Sequence, residues 1–188
     1  FFHLAVQFFL HFQFNGWFVF AAMALAFRVM ELRGICRPAR RMRWFYVLLS
    51  VSCVLTYALA VAWSNPLPIV FVVNGAGVTI QLAALVAFLL LVWPQRKTLL
   101  APFSGWNKSF ILIAFFSFAG KILIQAAVVI PVIAKAAYTI RNYVIGFIHL
   151  ILLGAVGGTA LVTLWHYLRE RAKARREASA VDEPAPGA

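Results

Sequence analysis

The chain has 188 residues, 64% of them hydrophobic and 12% charged, with a mean hydropathy of +0.90. A water-soluble domain of this size carries about a quarter charged residues, so the composition excludes an ordinary soluble domain. The net charge of +12 would suit a nucleic-acid partner, but its distribution along the chain points to a membrane surface instead.

Five apolar stretches follow one another, at about 1–27, 44–63, 67–93, 109–134 and 142–167. Each reaches the ~20 residues that a bilayer core requires. In lipid an open chain can satisfy its backbone only as helices. The expected fold is therefore all-α, a polytopic transmembrane helix bundle over 1–168. A tail that is first basic and then disordered is expected over 169–188. The chain starts inside an apolar run without a methionine, which leads to the expectation of a fragment with further spans upstream.

In the first span His3, Gln7, His11 and Asn15 recur at intervals of four and share one helical face. The connection "RVMELRGICRPARRMR" (28–43) holds six arginines and breaks the helix at a glycine and a proline. The second span offers Cys53 and Tyr57. Cys36 and Cys53 share no metal-ligand spacing and read as structural thiols. "SNPLP" (64–68) makes a turn, and the third span carries Asn74 and Gln81. An inner loop is expected over "WPQRKTLLAPFSGWNK" (93–108). The fourth span holds Ser117, Lys121 and Gln125 on one face, with a tolerable kink expected at Pro131. In the fifth, Asn142, Gly146 and His149 share a face. His166 reads as an anchor beside Trp165 and Tyr167 at the interface.

Fourteen of the 17 lysines and arginines fall in the 28–43 and 93–108 connections and the tail. If the spans alternate, all fourteen lie on one side, the positive-inside pattern, and the C-terminus is cytoplasmic. The lipid bilayer is then the partner that explains the charge, with no role for nucleic acid.

Polar groups in a span are costly against lipid, so these stripes are expected to turn inward. Amides and hydroxyls can simply join helices, but His11, Lys121 and His149 can also bind a metal or move a proton. The five acids, Glu31, Glu170, Glu177, Asp182 and Glu183, all lie outside the expected spans. Carboxylate-pair catalysis and a Ser-His-Asp hydrolase are thereby disfavoured. Imidazole in a low-dielectric bundle is the main chemical resource left, and it suits haem or copper. "HFQFNG" (11–16) and "HLILLG" (149–154) are both His-x-x-x-x-Gly, with a glycine that could leave room for a flat macrocycle.

"FFLHFQFNGWFVFAAMALAF" resembles the helix of haem-copper oxidase subunit I that bears haem-ligating histidines in a His-Phe-His context. "RNYVIGFIHLILLG" (141–154) is similar to a His-Leu-x-Leu-Leu-Gly helix of related membrane proteins, including some linked to nitric oxide metabolism. The resemblance covers the first, fourth and fifth spans. It implies a bacterial inner-membrane protein that binds a b-type haem, and copper as a further option. His11 and His149 would be the metal ligands, with His3, Gln7 and Asn15 supporting the cofactor. Gln13 stands where the second histidine of the pattern would be. Lys121, Gln125 and Ser117 would form a proton or polar relay. The implied role is respiratory electron transfer, or oxygen or nitric oxide handling, beside other respiratory subunits, as a possible relative of the haem-copper oxidoreductases. The alternative is a non-redox transporter or structural subunit whose polar stripes only pack helices or line a pathway.

Overall fold

The computed structural model describes residues 2–35, 38–62, 67–101, 103 and 105–181. Among the described residues the protein is 93% helical and has no strand. Five helical segments are long and apolar enough to cross a bilayer: Leu4–Leu32, Ala39–Ala62, Pro68–Leu100, Trp106–Ala127 and Asn142–Ser179. The expected all-α polytopic bundle is the observed one.

The first span joins α1 (Phe2–His11), a π-helical stretch (Phe12–Phe18) and α2 (Val19–Leu32). It stops at Gly34, where φ is +67°. Gly34 N–H donates to the Glu31 carbonyl and Ile35 N–H to that of Met30, the paired bonds that close a helix through a left-handed glycine. The second span is α3 (Ala39–Ala62) and the third is α4 (Pro68–Val92). These two form the most intimate pair, because a Cβ at Gly77 would lie 2.8 Å from Leu55 Cβ and 2.9 Å from Thr56 N. A glycine there lets the two backbones meet.

Three boundaries differ from the sequence expectation. The third span does not stop at Trp93; it passes through a 3₁₀ turn (Trp93–Gln95) into α5 (Arg96–Leu100), so much of the expected inner loop is helix. The fourth, α6 (Trp106–Ala127), ends before Pro131, and that proline opens a separate short helix, α7 (Pro131–Thr139). Proline lacks an N–H and fits the first turn of a helix better than its interior, so the chain breaks rather than kinks. Finally α8 (Arg141–His149), a second π-helical stretch (Leu150–Gly157) and α9 (Gly158–Val181) make one continuous rod. The expected disorder of the tail is replaced over 178–181 by helix, which continues the Ala-, Arg-, Glu- and Lys-rich run 169–177. Residues 182–188 lie outside the described set, as does Cys36.

Across four spans runs a dry aromatic core. Phe27 and Phe45 have ring centroids 5.7 Å apart, Phe45 and Phe88 5.6 Å, and Phe88 and Phe118 5.1 Å. All four side chains are buried. This core lies toward the basic ends of the spans, where Arg33 stacks its guanidinium 4.3 Å from the Phe103 ring. Gln7, His11, Asn15, Thr56 and Gln125 collect in the other half.

Candidate functional site: an intramembrane chamber

At four-residue spacing an unbroken α-helix keeps one face, and α6 does so: Ser117, Lys121 and Gln125 are all buried. Lys121 is only 1% exposed, and its amine has no hydrogen-bond partner. One turn further along, Gln125 lines a chamber of about 170 Å³ with Gln7, His11, Asn15, Thr56 and Tyr143. That volume holds several waters. Asn15, Asn74, Thr56 and Gln81 are buried as well. The amide oxygens of Asn15, Gln81 and Gln125 share with Lys121 the absence of a partner. Three orphan acceptors and one orphan donor thus belong to neighbouring faces of the first, third and fourth spans. Such groups are costly away from water unless something completes them.

His11 is tied differently. Its Nε2–H donates to the Cys53 carbonyl at 2.8 Å, and its Nδ1 accepts from Asn15 Nδ2 at 3.4 Å. One tautomer satisfies both bonds, with the proton on Nε2. Tyr57 adds a weaker link from its hydroxyl to the Leu4 carbonyl at 3.4 Å and sets its ring 5.6 Å from that of His11. Together these pin the first span to the second. Ser52 and Thr56 turn their hydroxyls onto the carbonyls of Leu49 and Ser52 in their own helix, so neither is left open.

His149 is not part of this chamber. Its side chain is exposed, as are Asn142 and Gly146, so the polar face of the fifth span turns outward rather than toward His11. The reason is the face this span buries: in its π-helical stretch these are Ile151, Gly154 and Ala155, and Ile151, two residues on from His149, lies on roughly the opposite side of the helix. His149 Nδ1–H donates to the Ile145 carbonyl at 2.7 Å, which leaves Nε2 facing away from the bundle. His3 lies on α1, but its side chain is outside the described set. Gln13 is half-buried and falls within the first π-helical stretch.

A haem or a copper ion held between His11 and His149 does not fit this arrangement. Both ring nitrogens of His11 are already bonded, and His149 faces the other way. The glycines do not open space for a macrocycle either. A Cβ at Gly16 would touch Cys53 Sγ at 3.7 Å, and one at Gly154 would overlap the Ser117 hydroxyl. The chamber is also below the ~300–1,000 Å³ of most small-molecule sites. Among the described residues no three His, Cys, Asp or Glu side chains gather as a metal-binding group.

The two His-x-x-x-x-Gly motifs mark something else. In each, a π-helical stretch begins at the residue after the histidine. The five-residue step from histidine to glycine equals the hydrogen-bond step of a π turn, a rare geometry concentrated at functional sites. Both the spacing and the two glycines were visible in the sequence, but they also suit close helix packing. Comparison of the chain with family models, curated proteins and solved structures gives no match.

Proposed function

We propose that this chain is a component of a membrane transporter for a small polar or anionic solute, with Lys121, buried one helical turn from the chamber residue Gln125, as its charge-selective group. The observation that carries this reading is the amine of Lys121, 1% exposed and unpartnered, in a chain whose expected spans contain no carboxylate. An intramembrane lysine faces a pathway or a partner far more often than lipid. With no internal anion to pair with, it is suited to one that arrives with the solute. Gln125 and Asn15 supply acceptors for the solute's protons or for bridging waters, while His11 holds the wall of the chamber together. By the one-sided placement of arginine and lysine, the basic end faces the cytoplasm of a bacterial inner membrane.

The test is flux through the full chain in liposomes, followed with chloride, acetate and a pH-sensitive dye. Lys121→Met should lower the permeant flux about 10-fold, the cost of one charged hydrogen bond worth ~1.5 kcal/mol. Flux equal to that of empty liposomes, or unchanged in the variant, would overturn the assignment.

One observation favours a second reading, a haem- or copper-binding subunit among respiratory partners. Metal-ligating histidines commonly donate their second ring N–H to a backbone carbonyl, as His149 does to Ile145. Its outward Nε2 suits a ligand shared with a neighbouring helix. A Soret band in the purified protein that disappears in His149→Ala would establish this reading.

A further inference from the structure

A second polar site lies at the basic end, away from the chamber. The end of the first span and the lower part of α9 border a cleft of about 920 Å³ whose lining includes Arg28, Arg33, His166, Arg169, Lys173 and Arg176. Glu170 is its one acidic lining residue. Arg28 is held by Glu31 at 2.8 Å, outside the cleft lining.

What distinguishes this from an ordinary charged surface is His166. The residue is 8% exposed, and neither ring nitrogen has a hydrogen-bond partner. Glu170 Oε1 stands 3.8 Å from Nδ1, beyond hydrogen-bond reach. Nearby, Arg33 Nε is also buried without a partner, although the guanidinium plane is stacked on Phe103. Burial and the neighbouring Arg169 charge push the Arg33 pKa down, and Glu170 only partly opposes them. The cleft therefore gathers several cationic side chains around one acid, and the His166 ring and Arg33 Nε are its buried polar groups without a partner. Trp165 and Tyr167 flank it, the residue types that sit at headgroup level.

We propose that this cleft binds a phosphate group, carried by an anionic lipid headgroup or free in solution. His166 and Arg33 donate to the phosphate oxygens from the floor of the cleft. Arg169, Lys173 and Arg176 on α9 surround it from the rim. Guanidinium groups suit the forked geometry of phosphate oxygens, and basic clefts between spans are known headgroup sites. The proposal is independent of the chamber and stands or falls without it.

The test uses the full chain in nanodiscs of phosphatidylcholine, with and without phosphatidylglycerol, and reads retained lipid by native mass spectrometry. A parallel arm titrates detergent-solubilised protein with radiolabelled inorganic phosphate. Phosphatidylglycerol retained in preference to phosphatidylcholine, without phosphate binding, identifies a headgroup as the source. Phosphate binding that displaces the lipid identifies the free anion. In either case Arg33→Gln should weaken binding about 10-fold. Because that change also removes the stack on Phe103, Lys173→Gln, at an exposed position, serves as a second variant with a smaller loss. Arg40→Gln removes the same charge from an exposed site outside the cleft and should change nothing. Equal retention of both lipids with no phosphate binding, or equal loss in Arg40→Gln and Lys173→Gln, would overturn the proposal.

Discussion

His11 and His149 stand in matching sequence, each five residues before a glycine and each at the threshold of a π-helical stretch. One is a cross-link between spans, with both nitrogens bonded. The other bonds only a carbonyl of its own helix and faces outward. The local pattern sets the backbone geometry in both places. What the side chain does is set by the neighbour: α3 offers the Cys53 carbonyl to His11, whereas α6 takes the Gly154 side of the fifth span and turns His149 away.

The strongest way to break this comparison is to fill the glycines. Gly154→Leu meets the Ser117 side chain, which already overlaps the place of a Cβ, and should cost ~3 kcal/mol through overpacking. Gly16→Ala makes only an ordinary contact with Cys53 Sγ and should stay within ~0.5 kcal/mol. Unfolding in mixed micelles of dodecylsulfate and a mild detergent measures both, and equal losses would remove the asymmetry between the two stretches.

The next contrast is between the histidines themselves. His11→Ala leaves the Cys53 carbonyl and the Asn15 amide without their partner and should cost ~1–2 kcal/mol in the same titration. A double-mutant cycle of His11→Ala with Asn15→Ala sharpens this. Its coupling should be near ~0.6 kcal/mol, the average for hydrogen bonds between membrane side chains. His149→Ala is the smallest effect, at most ~0.5 kcal/mol in the isolated chain. A loss as large as that of His11→Ala would mean that His149 is buried by an interaction the outward placement does not predict.

The sequence was most readable where the helical period is undisturbed. Span number follows from the apolar runs, and the inward face of Ser117, Lys121 and Gln125 follows from their spacing in the unbroken helix α6. Gln7, His11 and Asn15 also lie together at the chamber, although Asn15 already belongs to a π-helical stretch. The fifth span departs from the expectation that a polar stripe turns inward, since Asn142, Gly146 and His149 are exposed. Spacing fixes which residues share a face, not which face the bundle covers. The closure of His11 on the Cys53 carbonyl could not be read at all, since a backbone acceptor in another span leaves no mark in residue identity. The continuation of helix past Trp93 was hidden by composition, because a basic segment between prolines resembles a surface loop when only charge is weighed. Helix over 178–181 was hidden by the small, polar and proline-bearing sequence around it.

The unbroken rod Asn142–Ser179 has a mechanical consequence. Its 38 residues extend about 57 Å at 1.5 Å per residue, against a hydrocarbon core of about 30 Å. Nearly half of it is therefore a stiff post standing clear of the oil. A small tilt near Tyr143, whose side chain walls the chamber, would swing Glu177 through a much larger arc at the far end. Whatever grips that end has leverage over the chamber wall, and whatever fills the chamber can be felt there as displacement.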